Sequence, residues 1–204
     1  MGNIIRPGVD AKAFLQSAKA TGYSMQEGLI GAGTCGAVSR ELDEAGYLFD
    51  LTEQVPTEYL SLHRTMPATK LLHRILEGIV SEIEDDNRRH FPLFSVRVFE
   101  AGDYATTIHR NDPAIGPWAV GITLKGNSQF HVYSQNVLPW SQAQTIPLRG
   151  DGNDPLPIAE MDAGAGSAWT LYTENEQRPH SGGLVTSEEQ RELIIFYGFS
   201  LLNW

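Results

Sequence analysis

Six histidines stand at positions 63, 73, 90, 109, 131 and 180. Histidine is the commonest metal ligand and the usual acid–base group near neutral pH. His63, His73 and His90 fall in a stretch that reads as helical. No pair of them has the i, i+4 spacing of a helical metal site, so they read as surface or packing residues. The second half of the chain is different. It contains Thr107-Ile108-His109-Arg110-Asn111-Asp112, then Arg178-Pro179-His180-Ser181-Gly182, then Arg191 ahead of Leu193-Ile194-Ile195-Phe196-Tyr197. On a strand, residues i and i+2 point the same way, so His109 and Asn111 can face one point in space. A second histidine from another strand, His180, completes one face of an octahedron. Two histidines and one oxygen ligand on one face leave the opposite positions of a metal open.

Such a face is the facial triad of non-haem iron(II) sites, normally two His and one carboxylate. Its vacant positions accept a bidentate 2-oxo acid and O2. An arginine on a nearby strand then pairs with the far carboxylate of the acid through a two-pronged, charge-assisted contact. Arg191 is the candidate. Alternation also joins Thr107 to the face of His109. It sets the more polar Gln129, His131 and Tyr133 against Phe130, Val132 and Ser134, which makes Tyr133 a candidate hydrogen-bond donor to a ligand carboxylate. Trp118, Trp140 and Trp169 are expected as packing or pocket walls.

These residues need elements to hold them. Asp10 is placed to cap a helix over residues 11–20, with Gly22 as its stop. A second helix is expected over about 37–45, ended by Gly46. A third, over 68–83, carries Leu71, Leu72, Ile75, Leu76, Ile79, Val80 and Ile83 as one apolar stripe. The acidic run 82–86 reads as a solvated helix face and end. After Pro92 the texture becomes strand-like, over 94–99, 104–109, 118–124, 129–133, 167–172 and 193–200. The turn Lys125-Gly126-Asn127-Ser128 predicts a hairpin, and a Pro/Gly/Asp-rich loop covers 138–157. Short strands at regular spacing predict a sandwich or barrel. The expected architecture is therefore α+β: one domain over 1–204, with 1–91 mainly helical support and 92–204 a β-core carrying the site.

Composition bounds the partners. The 204 residues are 41% hydrophobic, enough for a packed core, and carry 15 Lys plus Arg against 25 Asp plus Glu, a formal charge of −10. That balance argues against broad nucleic-acid or anionic-membrane binding, though not against one basic pocket. The single cysteine, Cys35, allows no intramolecular disulfide and no Cys-based zinc site. Arg6 is followed by no apolar run, so no signal peptide is expected. No apolar stretch approaches the ~18 residues of a membrane span, and a cytoplasmic setting is expected. Gly28, Gly31, Gly33 and Gly36 do not form G-x-G-x-x-G. There is no G-x-S-x-G, and Cys35 lacks a basic context, so hydrolase readings fail.

Together the motifs resemble the Fe(II)- and 2-oxoglutarate-dependent dioxygenases. The resemblance covers about 94–200. It rests on Gly102-x-Tyr104 ahead of His109, on the strand pair 118–133 with its Leu-Lys-Gly turn, on Arg178-Pro-His180-Ser-Gly, and on Arg191 before an Ile/Phe-rich strand. It implies a double-stranded β-helix (jelly-roll) core in the C-terminal half, buttressed by N-terminal helices. It implies Fe(II) on His109 and His180, and 2-oxoglutarate as cosubstrate held by Arg191. The activity implied is hydroxylation of an unactivated C–H bond of a small molecule by O2, with 2-oxoglutarate converted to succinate and CO2.

Two departures from the family pattern stand out. The usual motif is His-x-Asp or His-x-Glu, whereas Asn111 is the second residue after His109 and Asp112 comes one later. A β-bulge over Arg110–Asn111 would swing Asp112 inward. Alternatively Asn111 ligates through its amide oxygen, or neither ligates and the position stays open for water or halide, as in the family's halogenases. The family also often has Ser or Thr two residues after the arginine, where this chain has Leu193. A cupin is the nearest structural rival, but His109-Arg110-Asn111 lacks the second histidine of its His-x-His. A non-catalytic member of the fold, acting as a binding or scaffold protein, is the reading of a different class. The oligomeric state is not legible.

Overall fold

The structure, a computed structural model, describes residues 4–44, 66–84, 93–111, 117–138, 145–150, 152–172, 178–186 and 189–197. Asp10 acts as its position predicts. Its carboxylate accepts a 2.9 Å bond from the Ala13 N–H and caps α1 (Ala11–Thr21). Gly22 closes the helix at φ 89°, in the left-handed region that favours glycine. α2 (Ala32–Glu44) begins five residues before the expected start and buries Cys35, Val38 and Leu42. α3 (Pro67–Glu84) opens on proline, whose missing N–H would have had no helical partner there. Glu41 of α2 reaches across to cap it, accepting from the Ala68 N–H at 2.7 Å and from the Thr69 N–H and hydroxyl at 2.9 Å each. Leu72, Leu76 and Val80 of the predicted stripe are buried. Glu84 is pinned rather than solvated: it accepts from the Trp118 indole at 3.0 Å and pairs with Lys19 at 3.0 Å.

Among the described residues, eight strands follow a different plan from the helices. They are β1 (Tyr23–Gln26), β2 (Leu93–Glu100), β3 (Trp118–Lys125), β4 (Asn127–Val132), β5 (Ala159–Gly164), β6 (Ala168–Tyr172), β7 (His180–Gly182) and β8 (Glu189–Tyr197). β1 lies inside the half expected to be helical, because its ladder partner β6 is distant in sequence. A five-stranded sheet has the order β1-β6-β3-β8-β2 and a three-stranded sheet the order β5-β4-β7, with every pairing antiparallel. The hairpin expected around Gly126 is not formed. β3 pairs with β6 and β8, while β4 pairs with β5 and β7. Gly126, at φ 87°, passes the chain from one sheet to the other. Each strand's apolar face decides this, since Val120 and Ile122 join the core under the helices, and Phe130 and Val132 join the core between the sheets.

The result is an α+β jelly-roll with helices on one side. Trp118, Val120, Ile122, Leu193, Ile195 and Tyr197 turn one face of the large sheet to the helices. Ala119, Trp169, Leu171 and Ile194 turn its other face to Phe130, Val132, Met161 and Ala163 of the small sheet. No described helix is long and apolar enough to cross a membrane.

Candidate active site

Residues 104–109 continue the small sheet beyond β7. Tyr104 pairs with Leu184, and the Ala105 and Thr106 N–H groups donate to the carbonyls of Gly183 and Gly182. Further along, His109 and His180 exchange both backbone N–H···O bonds, at 3.0 and 2.9 Å. The pairing offset changes by one residue between these contacts, so Thr107 and Ile108 together oppose Ser181. That is a β-bulge, one motif earlier than Arg110–Asn111. It brings His109 onto the face of His180 and leaves Thr107 exposed, while Thr106 lines the pocket instead.

The two imidazoles lie with ring centroids 4.3 Å apart. Each is oriented the same way. His109 Nδ1 bonds the Thr107 carbonyl at 2.8 Å, and His180 Nδ1 bonds the Arg178 carbonyl at 3.1 Å. A carbonyl only accepts, so each Nδ1 carries the proton and each Nε2 keeps its lone pair. Burial pushes the His109 pKa down to about 4, opposed by the Thr107 carbonyl and aided by the charge of Arg97. Burial, then the neighbouring His109 and the charges of Arg97 and Arg110, push His180 well below its ordinary value. Both rings are therefore neutral near pH 7. Neutral imidazoles with Nδ1–H anchored to backbone carbonyls are how metal-binding histidines are prepared.

Asn111 lines the same pocket, and its Nδ2 is buried without a hydrogen-bond partner. Rotating the amide by half a turn would present Oδ1 there instead. Asp112 lies outside the described residues. Among the described residues, no three His, Cys, Asp or Glu side chains gather closely enough to hold a metal.

The pocket opens between the sheets. Its wall is Trp169, as expected of a tryptophan here. The indole stacks on Phe130 at 4.6 Å between centroids, tilts against His180 at 5.9 Å, and donates a 2.6 Å bond to Glu192. Glu192 is buried, and burial raises its carboxyl pKa against the opposing pull of Arg97 and the Trp169 bond. Arg97, its register partner on β2, lines the pocket too. Arg97 and Glu192 were not singled out from the sequence. The available signal was a charged residue interrupting an apolar strand on the face that alternation gives to the core.

Two expected site residues lie elsewhere. Gln190, Glu192 and Ile194 of β8 face the pocket, so Arg191 faces the opposite side. There its guanidinium pairs with Asp43 of α2 and, at 2.5 Å, with Glu189. Burial works against its charge, but those bonds hold its pKa above the usual value. Arg191 as the cosubstrate's carboxylate partner is thus corrected: it braces helix against sheet. Tyr133 is corrected likewise. Its hydroxyl bonds Ser181 Oγ at 3.0 Å, with His131 Nδ1 at 3.5 Å, on the face of the small sheet away from His180. The apolar set, Phe130 and Val132, takes the interior between the sheets, packed with Met161, Trp169 and Ile194.

Two facing antiparallel sheets with a histidine pair at their edge and helices behind them have the fold of the Fe(II)/2-oxoglutarate dioxygenases, the double-stranded β-helix. Solved structures bear this out over nearly the whole chain. A Pseudomonas putida prolyl-4-hydroxylase matches at TM-score 0.59 and 9% identity, covering 98% of this chain and 99% of that one. AviO1 from Streptomyces viridochromogenes matches at 0.56 and 15%, covering 98% of each. HygX from Streptomyces hygroscopicus, solved with nickel and 2-oxoglutarate bound, matches at 0.55 and 15%, covering 95% and 88%. No protein-family model matches the chain, and no curated protein matches it in sequence.

Proposed function

We propose that this chain is a mononuclear non-haem iron(II) oxygenase that consumes 2-oxoglutarate and O2 and hydroxylates an unactivated C–H bond of a small molecule. One observation carries the reading: His109 and His180 face each other across a bulged bridge, each with Nδ1–H committed to a carbonyl and Nε2 left free. These two Nε2 atoms would hold the iron, with Asn111 or Asp112 supplying an oxygen. Bound there, iron would supply O2 activation coupled to oxidative decarboxylation of 2-oxoglutarate. The chain's own part is positional. The Thr107 and Arg178 carbonyls fix the two rings, the buried setting keeps them unprotonated, and Trp169 stacked on Phe130 shields the interior from water. HygX, with nickel and 2-oxoglutarate bound, supports the reading by its fold.

Anaerobic addition of Fe(II) and 2-oxoglutarate tests it. The expected result is the visible charge-transfer band of the ternary complex, lost in His109→Ala and His180→Ala. No band, with no binding of either component by calorimetry, overturns the proposal. The neutral Asn111 favours a second reading, in which the fold serves as a binding or scaffold protein without iron. That reading requires a cooperatively folded chain that takes up no Fe(II) in the same experiment.

A further inference from the structure

Two ties reach the residues on either side of His180, and both come from Tyr133, the residue that follows β4. The Tyr133 N–H donates to the Pro179 carbonyl at 2.8 Å, and the Tyr133 hydroxyl bonds Ser181 Oγ at 3.0 Å. His131 Nδ1, 3.5 Å from the same hydroxyl, is too far to compete. His180 and Gly182 line the pocket, so Ser181 between them faces the other side of the small sheet. Both hydroxyls are buried there, and a buried hydroxyl that loses its partner is costly. Burial pushes the Tyr133 pKa up, against the Ser181 bond, so the phenol keeps its proton near pH 7. The consequence for His180 runs through the backbone. Its ring is oriented by the Arg178 carbonyl, which accepts from Nδ1 at 3.1 Å. That carbonyl belongs to the peptide leading into Pro179. The proline ring fixes φ at 179, and the Tyr133 N–H on the Pro179 carbonyl fixes ψ. Beyond His180, the bond to Tyr133 pins Ser181. The His180 N–H and C=O are both engaged by His109.

We propose that Tyr133 is a positioning residue for His180: by holding Pro179 and Ser181, it keeps the imidazole in the orientation that leaves Nε2 free beside His109. This rests on the metal-site reading above and deepens it. The hydroxyl expected from the sequence to meet a ligand carboxylate instead acts on the site from behind the sheet, touching nothing bound there. Tyr133 and Ser181 act as one unit, because each hydroxyl has its partner in the other.

The test is titration of the whole chain with Co(II), followed by calorimetry and by the visible d–d absorption of the bound ion. Tyr133→Phe removes the hydroxyl and keeps the ring, and Ser181→Ala removes its partner. Each is expected to weaken Co(II) binding about tenfold, the low end for groups that orient a metal-binding histidine, and to shift the d–d bands. The double variant should bind no more weakly than the weaker single one, because both changes break the same bond. If Tyr133→Phe fails to fold, Ser181→Ala carries the test alone. Glu41→Ala, which loosens the helices and leaves the small sheet alone, controls for lost stability and should keep the parent's affinity and spectrum. Parental affinity and spectrum in Tyr133→Phe or Ser181→Ala, additive losses in the double variant, or the same spectral shift in Glu41→Ala overturns the assignment while the metal site stands. A parent chain that binds no Co(II) overturns the metal-site reading, and this inference with it.

Discussion

The indole of Trp169 occupies the space that a side chain at Gly121 would need. The two are register partners across β3 and β6, and a Cβ built on Gly121 would overlap the indole atoms Cε2, Cζ2 and Nε1. The missing side chain is what lets the ring lie close to the β3 backbone, stack on Phe130 and reach Glu192.

Gly121→Ala should therefore destabilise the chain by about 2–3 kcal/mol, the cost of overpacking where neither strand can give way. The indole must shift, so the Trp169 bond to Glu192 breaks. A lower melting temperature and an altered tryptophan emission spectrum check this. A variant that melts like the parent would contradict it.

Metal affinity should follow charge at position 111. Asn111→Asp adds a carboxylate beside His109 and His180, and roughly tenfold tighter Fe(II) or Co(II) binding is expected. If Asp112 is the working ligand, Asp112→Ala weakens binding and Asn111→Asp compensates for it. Equal affinity in parent and Asn111→Asp would mean that residue 111 does not face the metal.

Acid should loosen the fold through the histidine pair. An unfolded histidine titrates near 6.5, whereas His109 in the fold is pushed down to about 4. Between those values the unfolded chain binds more protons. The contribution is thus fully present above about pH 6.5 and lost as pH falls toward 4, up to ~3 kcal/mol. His180 has the same sign. Glu192, with its raised pKa, has the opposite one. Urea midpoints of the parent and His109→Gln from pH 4 to pH 8 isolate the histidine, and the parent should lose more on acidification. Parallel curves would contradict the expectation.

Glu41 ties two helices together by capping α3 from α2. Glu41→Ala removes the acceptor of two backbone donors and a hydroxyl, and should cost about 1–2 kcal/mol. The cap lies on the helix side of the large sheet and the pocket on its other face, so Fe(II) affinity should not change. Chemical denaturation and metal titration of the same variant check both halves.

The residues that could bind a metal were legible because they are chemically distinctive and come in order. His109, Asn111, His180 and a strand-rich second half are visible in one dimension. So were the Asp10 cap, the Gly22 stop and the stripe of α3, which depend on neighbours three or four residues away. Order along the chain puts Arg191 on the right strand but does not say which face of that strand it takes. Strand side chains alternate, so a step of one residue exchanges the pocket for the helix-facing side.

What the sequence by itself determined is the chemistry available and most of the local elements: two histidines in strand context, an acidic chain with no cysteine pair, and a helix-rich first half before a strand-rich second half. Only the tertiary structure decided which faces meet. The bulge at Thr107–Ile108 shifts the register that turns His109 toward His180. The split of β3 and β4 between two sheets makes the pocket, and pairing β2 with β8 places Arg97 in it. Sheet partners distant in the chain fix these relations, and residue spacing along one strand carries no record of them.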